Sequence, residues 1–337
     1  MQSPSQFLLT LGGILLFGLL VSTLGQRSFL PRVTLLLIFG IVIGRDMLNI
    51  IPPVFIDRFE IIADMALLMV GFLLGGRLTM DTLRQSVGKV LWISIAAAVV
   101  TTVIVSLGLV WVGQSKEIAI LLGCIAAATA PAAIFDVVIE MDEKTPFRDL
   151  LLSIVAIDDV WALVLFGIGV AMVTSLSGHG DDLSPLLMAI KEIGGAVILG
   201  VLIGIPAAYF TGRIQPGQPI LTEALGLVFV CGVLAIWLDV SFLIASIVMG
   251  SVIANLAKHH EYPFHAIEGI EWPFMVVFFI LAGASLELDA VRDVGVIGVV
   301  YILCRVIGKL LGARVGSLLS CADQATKNWI GIALLPQ

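Results

Sequence analysis

The sequence has 337 residues, of which 59% are hydrophobic and only 13% are charged, and its net charge is −7. Soluble domains carry about 25% charged residues, so this chain lacks the polar surface that a water-soluble protein of its length needs. The composition indicates an integral membrane protein and excludes a cytosolic enzyme, a disulfide-stapled secreted domain and a disordered chain. The modest negative charge argues against nucleic acid as a partner.

Apolar stretches separated by short charged or Pro/Gly-rich connectors predict helices that cross a bilayer. The first stretch has no basic leader and no cleavage site, so we expect it to be a retained span. The predicted helices cover residues 6–24, 32–44, 59–78, 90–112, 116–140, 148–176, 185–211, 220–236, 241–257, 264–287 and 293–318. A twelfth begins near Lys327, and the sequence stops inside its apolar run, which predicts a C-terminally truncated chain.

The basic residues of the connectors predict the orientation of the chain. If the N-terminus lies outside, eleven of the 18 Lys and Arg residues fall in inner connectors, five fall in outer connectors, and Arg305 and Lys309 stay inside a span. The positive-inside rule therefore favours an outside N-terminus.

An internal repeat with a fixed offset of 208 residues joins the two halves of the sequence. The first copy begins in the third predicted span and the second in the tenth, an odd separation, so the copies cross the membrane in opposite directions. Inverted repeats are typical of secondary transporters, which bind their substrate near the midplane of the bilayer. The identical pairs are Leu73/Leu281, Gly75/Gly283, Leu78/Leu286, Asp81/Asp289, Arg84/Arg292, Gly108/Gly316 and Gly123/Gly331.

Asp158 and Asp159 lie side by side in an apolar segment. At 1.5 Å per residue they are about 15 Å into their predicted helix, near the bilayer centre, where charges are costly and mark ion pathways. Adjacent helical residues point about 100° apart, so one carboxylate can face a water-filled cavity while the other contacts a fixed partner. Because the two carboxylates repel each other and burial disfavours charge, we expect the pair to take up a proton when a cation leaves.

Two basic residues lie in the eleventh predicted span. Arg305 falls at its middle, stays charged in any protein environment and needs a buried anion, for which Asp158 or Asp159 is the natural candidate. Lys309 lies one turn further on the same face. It is nearer the helix end and could instead extend to the membrane surface.

A proline interrupts the fifth predicted span at Pro131, within the segment of residues 126–136. A broken helix frees carbonyl groups and exposes helix ends at the midplane, which suits cation binding, and Thr129 adds a hydroxyl there. The repeat aligns Thr129 with Gln337, next to Pro336, so both copies have a proline at corresponding positions.

Asp64 and Asp136 are further intramembrane acids, which we interpret as residues of the ion pathway, with helix-end caps as the alternative. The sequence has no phosphate-binding glycine loop and no third acid at a spacing that suits magnesium. It therefore favours neither ATP-driven transport nor an enzyme.

Together these features resemble the monovalent cation:proton antiporter superfamily, the sodium/proton exchangers, and above all the cation:proton antiporter-2 branch. The resemblance extends over essentially the whole chain. Its most specific parts are Asp158-Asp159, Thr129-Ala130-Pro131, Phe278-Phe279 leading into residues 282–286, and residues 305–308.

The resemblance implies an all-α polytopic fold of 13 spans, about 12 of them present here, with discontinuous helices crossing at Pro131 and Pro336. It implies a scaffold and dimer part at about 1–50 and 185–257 and a moving core at about 59–176 and 264–337. Such a core works as an elevator in a homodimer of the cell (inner) membrane.

The implied function is secondary antiport of a monovalent cation, Na⁺ first with K⁺ and Li⁺ as alternatives, against H⁺. Asp159 is expected to be the principal ligand, with Asp158 paired to Arg305 or joining the site. Ala130 stands where many relatives have an acid, and Arg305 where electrogenic relatives with paired aspartates have a lysine, so the stoichiometry stays open. A K⁺/H⁺ efflux antiporter and a non-transporting sensor or channel-like protein are the alternatives. We expect no cofactor, no metal beyond the transported cation, and no partner beyond the ions, the lipid bilayer and a second copy.

Overall fold

The computed structural model describes residues 4–25, 32–52, 55, 59–130, 133–134, 138, 145–176, 184–211, 220–257 and 261–335. Within these ranges the chain forms helices and no strands, which confirms the all-α prediction. The helices are α1 (Pro4–Gly25), α2 (Arg32–Ile43), α3 (Phe59–Arg77), α4 (Met80–Trp111), α5 (Lys116–Ala126), α6 (Pro146–Leu176), α7 (Ser184–Thr211), α8 (Ile220–Trp237), α9 (Phe242–Leu256), α10 (Glu261–Ala284), α11 (Leu288–Leu319) and α12 (Gln324–Ala333).

Several of these helices are long and apolar enough to cross a bilayer. Among the described residues there are six such segments: Phe59–Arg77, Val87–Trp111, Pro146–Val170, Leu187–Phe210, Tyr262–Ala284 and Gly295–Leu319. Four shorter apolar helices accompany them, and α5 and α12 are shorter still. The total agrees roughly with the predicted 12 spans, and the chain is a multi-pass membrane protein.

Two helix boundaries differ clearly from the sequence-based prediction. Helix α4 begins at Met80, ten residues before the predicted start, because polar residues continue a helix beyond its apolar part as readily as apolar ones. Helix α5 ends at Ala126, although its apolar pattern runs on to about residue 140. The apolar pattern therefore marks the buried part of a helix better than it marks the ends.

The predicted repeat recurs in the helix boundaries. Helices α4 and α11 both have 32 residues and begin 208 residues apart, and α5 and α12 also begin 208 residues apart. The side chains that cap α5 and α12, Ser115 and Asp323, keep the same offset.

Helices α4 and α11 pack against each other over most of their length in opposite directions. Gly308 lies against Thr101, Gly312 against Ala97 and Gly316 against Ile93, so residue numbers fall in one helix as they rise in the other. This antiparallel contact between equivalent helices confirms that the repeat is inverted.

The N-terminus of α12 is held by its capping residue. Asp323 accepts hydrogen bonds from the Thr326 backbone N–H at 3.1 Å and from the Thr326 hydroxyl at 2.8 Å, and its carboxylate is 3.6 Å from Lys89 on α4. The bonds from Thr326, with a smaller contribution from Lys89, hold the pKa of Asp323 below its ordinary value. The cap thus keeps its charge at neutral pH, at the helix end where a negative charge is favourable.

The repeat also extends to a pair of glycine-mediated contacts. Gly75 on α3 packs against the backbone of Ile247 on α9, and its repeat partner Gly283 on α10 packs against the backbone of Leu37 on α2. The absence of a side chain lets these helices approach at backbone distance, as is usual between membrane helices.

We expect Gly75→Ala to destabilise the protein. The added Cβ would overlap the Ile247 carbonyl oxygen, so the two backbones must separate, and overpacking of this kind costs about 1–3 kcal/mol. Gly226→Ala on α8 is the matched control, because its Cβ meets none of the described residues within 4 Å and alanine favours a helix. Thermal unfolding in detergent should show a lower midpoint for Gly75→Ala only. Equal midpoints would contradict the close approach.

The helices form two packed groups. Helix α4 packs on α5, α6 and α11, and α12 packs on α11 and α6. Helix α9 packs on α3, α7 and α8, while α10 packs on α2, α3 and α8. Helices α3 and α10, which belong to the predicted core, therefore have their most extensive contacts with helices of the predicted scaffold.

Candidate functional site

The site begins where α5 stops. The backbone N–H of Ala127 bonds to the carbonyl oxygen of Cys124 in a final turn, and residues 128–130 leave the helix. The end of a helix leaves carbonyl groups without helical partners, so the Ala127 and Ala128 carbonyls must bond elsewhere. Pro131 and Pro336, to which the sequence analysis assigned the breaks, lie outside the described residues, as does Asp136.

Lys309 on α11 provides the bonding partner for this helix end. Its Nζ lies 2.8 Å from the Ala127 carbonyl oxygen, 2.7 Å from Thr129 Oγ1 and 3.0 Å from Asp158 Oδ2. The Lys309 side chain is only 1% exposed, so all three donors of the ammonium group are used inside the protein. The alternative in which Lys309 extends to the membrane surface is wrong.

The structure also corrects the expected role of Arg305. The cation that pairs with Asp158 is Lys309, one turn further along α11, whereas the Arg305 guanidinium donates to the Ala128 carbonyl oxygen at 2.9 Å. Both cations thus bond to carbonyls at the C-terminal end of α5, where the helix dipole favours positive charge. The spacing of Arg305 and Lys309 indicates this arrangement, because residues four apart lie on one helical face and can donate to neighbouring acceptors.

The two aspartates have different surroundings. Asp158 is fully buried, and its Oδ2 accepts hydrogen bonds from Thr129 Oγ1 at 2.5 Å and from Lys309. Its Oδ1 is buried and has no hydrogen-bond partner among the described residues. Asp159 is half-buried, and its carboxylate lies near the Thr129 backbone N–H. One carboxylate is therefore held by the protein, while the neighbouring one is more accessible.

A cavity of about 230 Å³ lies beside these groups. Tyr301, Arg305 and Lys309 of α11 line it together with Leu335, which follows the end of the second short helix, α12. The ends of the two repeat-related short helices, α5 and α12, therefore meet the same stretch of α11. Of the residues that form the site, Arg305 and Lys309 line this cavity.

Asp64 lies apart from this arrangement. It is half-buried on α3, one turn after Glu60, and no described contact joins it to Asp158 or Asp159. Its assignment to the ion pathway stays a prediction.

Sequence reasoning missed a hydrogen bond that connects α6, the helix with the two aspartates, to α4. Trp161 Nε1 donates to Ser94 Oγ at 3.0 Å.

Comparison with solved structures identifies the fold. The chain superimposes on the sodium proton antiporter MjNhaP1 from Methanocaldococcus jannaschii at pH 8 with a TM-score of 0.77, at 19% identity over 97% of this chain and 83% of that one. An electron-microscopy structure of the same antiporter gives a TM-score of 0.79, at 18% identity over 99% of this chain and 84% of that one. At this identity the likeness concerns the fold, which is that of an inverted-repeat antiporter.

Sequence comparison agrees. The chain is 21% identical over 285 residues to the ammonium/H⁺ antiporter subunit AmhT of Alkalihalophilus pseudofirmus, covering 84% of this chain and 71% of that protein. It is 22% identical over 329 residues to a probable Na⁺/H⁺ antiporter 2 of Methanocaldococcus jannaschii, covering 90% of this chain and 74% of that one.

The fold and these relatives are those of secondary cation/proton antiporters, a class of transporters. The model of the transmembrane sodium/hydrogen exchanger family matches residues 11–335, nearly the whole sequence. The chain belongs to that family, and the resemblance inferred from its motifs is confirmed.

Proposed function

We propose that the protein exchanges Na⁺ for H⁺ at Asp158 and Asp159, with Asp159 as the principal ligand. The observation that carries this proposal is the buried arrangement in which Asp158, Thr129 and the Ala127 carbonyl surround one ammonium group beside a second, more accessible carboxylate. Oxygen ligands of this kind bind hard monovalent cations, and the carboxylates can bind H⁺ instead.

Competition between the two ions couples their fluxes in this proposal. A bare carboxylate at this depth is costly to move through the membrane, so the site crosses only when a cation or a proton neutralises it. Lys309 acts as the resident cation of the empty site, because it holds the oxygens that an entering ion needs. Entry of a cation then requires Lys309 to move away from Asp158 or to lose its proton.

A second substrate, ammonium, is favoured by a particular feature of the site. The three oxygens lie 2.7–3.0 Å from Lys309 Nζ, which donates three hydrogen bonds, so the same spacing of oxygens suits an ammonium ion once Lys309 has moved away. Na⁺ is smaller, and the same oxygens would have to close around it, whereas K⁺ is near ammonium in size. A relative, AmhT, is named as a subunit of an ammonium/H⁺ antiporter.

The larger movements belong to the same proposal. We propose that α4, α5, α6, α11 and α12 move together as an elevator relative to the scaffold helices, within a homodimer of the cell membrane whose N-termini lie outside. The predicted core, about 59–176 and 264–337, also contains α3 and α10, which pack on α9 and α2. The two assignments differ in whether α3 and α10 belong to the core or to the scaffold. A cysteine cross-link between α3 and α9 distinguishes them, because it would stop transport only if α3 moves with the core.

Transport assays in proteoliposomes test the proposed function. The protein is reconstituted with an internal pH dye, and Na⁺, K⁺ or Li⁺ is added in turn to an established proton gradient. We expect proton movement with at least one cation and none with choline. Ammonium is tested by its competition with labelled Na⁺ or Rb⁺, because neutral ammonia crosses bilayers unaided. Cation flux that persists without proton movement would instead support a channel.

Thr129→Val is expected to weaken cation binding and the Lys309–Asp158 pair together. Valine has the shape of threonine but lacks the hydroxyl that donates to Asp158 and accepts from Lys309. Loss of hydrogen bonds to charged groups costs about 1.5–3 kcal/mol, so we expect the KM for the cation to rise roughly ten- to hundredfold. Thr129→Ser keeps the hydroxyl and should stay close to wild type. Equal KM values in the two variants would contradict a role for the hydroxyl.

A further inference from the structure

Two short links connect the two packed groups of helices. Residues 78–79 join α3 to α4, and residues 286–287 join α10 to α11 at the equivalent place of the inverted repeat. In both links the first N–H donates to the carbonyl oxygen three residues earlier, at 3.0 Å for Leu78 and 3.3 Å for Leu286. We call these links the 78–79 joint and the 286–287 joint.

The 78–79 joint is bonded to α9 by two side chains. Ser251 Oγ donates to the Leu78 carbonyl oxygen at 2.9 Å, and Asn255 Nδ2 donates to the same oxygen at 3.0 Å. The Asn255 amide also donates to the Ser251 carbonyl oxygen at 2.7 Å, which orients it on its own helix. A carbonyl oxygen has two lone pairs, so α9 occupies both of those on Leu78. The carbonyl at the end of α3 is therefore held on α9.

The corresponding contact of the other repeat lies between α10 and α2. Gly250 on α9 lies against the backbone of Phe72 on α3. In the same way, Gly40 on α2 lies against the backbone of Ile280 on α10. Since Phe72 and Ile280 are equivalent residues of the repeat, α2 and α9 are equivalent helices, with an offset of 210 residues between them.

The two side-chain donors to Leu78 have no equivalent in the other repeat. Ile41 occupies the position of Ser251 and has no side-chain donor. Arg45 occupies the position of Asn255, but it lies beyond the end of α2 and is exposed. Leu286 is 44% exposed, and no side chain of the described residues donates to its carbonyl oxygen. Two joints that are equivalent in backbone geometry therefore differ in how they are held.

The positions of the two joints give this difference a mechanical consequence. Helices α4 and α11 pack antiparallel over most of their length, and each joint precedes one of them, so the joints lie at opposite ends of the helix pair. A packed pair that is fixed at one end moves furthest at its other end. Hinges in proteins are a few residues at the ends of elements, where changes in φ and ψ are absorbed.

We propose that Ser251 and Asn255 are positioning residues that fix the 78–79 joint on α9. The helices of the ion site then turn about this joint, and the 286–287 joint absorbs the larger displacement. This inference rests on the movement of α4, α5, α6, α11 and α12 under the proposed function. It adds the place about which that movement turns.

A double variant and a matched control separate this role from a general effect on α9. Ser251→Ala/Asn255→Leu removes both donors to Leu78. Ser246→Ala makes the same change of serine to alanine on α9, but its hydroxyl donates to the Leu243 carbonyl oxygen of its own helix, at 2.9 Å. Asn255→Asp keeps the shape of the side chain and donates no hydrogen bond, so it is a second variant with the same expected result.

Amide hydrogen exchange in nanodiscs, followed by mass spectrometry with fragmentation, measures how firmly each joint is held. In the wild-type protein we expect the Leu78 N–H to exchange at least tenfold more slowly than the Leu286 N–H. The double variant should remove most of this difference, and Ser246→Ala should preserve it. Unchanged exchange of Leu78 in both the double variant and Asn255→Asp would overturn the proposal.

Transport kinetics in proteoliposomes test the role of the 78–79 joint in the movement. We expect the double variant to lower the maximal rate of exchange at least fivefold at an unchanged KM for the cation, because Asp158 and Asp159 are untouched. Ser246→Ala should keep the wild-type rate. A wild-type rate in the double variant, or an equal fall in Ser246→Ala, would overturn the proposal. Absence of exchange in the wild-type protein with every cation would instead count against the proposed function.

Discussion

Asp159→Asn is expected to abolish coupled exchange without unfolding the protein. Asparagine keeps the size of the side chain, but it cannot bind a proton and brings no charge to a cation. The variant therefore binds neither H⁺ nor the cation at this position, and the coupling between their fluxes is lost. Proton movement on cation addition, measured in proteoliposomes, should fall to the level of empty vesicles, while the unfolding midpoint in detergent stays near that of wild type.

Asp149→Asn is the matched control for this variant. Asp149 lies in the first turn of the same helix, ten residues before Asp159, and the same chemical change there should leave exchange largely intact. If Asp149→Asn were as inactive as Asp159→Asn, the loss of exchange would result from removing negative charge anywhere on α6, and not from removing a ligand. Full activity of Asp159→Asn would contradict the assignment of Asp159 as principal ligand.

Much of the fold could be predicted because membrane helices must satisfy their backbone hydrogen bonds internally and face lipid with apolar residues. Most predicted helices agree with the structure within a few residues at each end. The charged pairs Asp81/Asp289 and Arg84/Arg292 revealed the inverted repeat, because charges in a matching register are rare in so apolar a sequence. The early end of α5 was not predictable from apolar periodicity, which continues beyond the break.

The partner of Asp158 could not be chosen from the sequence. The sequence favours Arg305 because it is nearer the middle of its span, if position along the helix is equated with depth in the membrane. Side chains on a helix lean toward its N-terminus, so the long Lys309 side chain reaches back toward the middle of α11. There it meets Asp158, while Arg305 reaches one carbonyl further along the end of α5.

Lys309→Met is expected to lower the free energy of unfolding by about 3–5 kcal/mol, because it leaves the charge of Asp158 buried without its partner. Methionine keeps the length of the side chain, so lost packing contributes little. The double variant Asp158→Asn/Lys309→Met removes both charges and should regain most of the lost stability. Unfolding midpoints of the two single variants and the double variant in detergent measure this coupling.

The outcome of that cycle also bears on the mechanism. If the pair is coupled, a cation that displaces Lys309 must replace the positive charge that Lys309 provided to Asp158. Lys309 can act as the resident cation of the empty site only under this condition. Additive losses in the two single variants would mean that Asp158 and Lys309 are stabilised independently. Cation entry would then depend on Asp159 alone, and exchange should persist in the double variant at an unchanged KM for the cation.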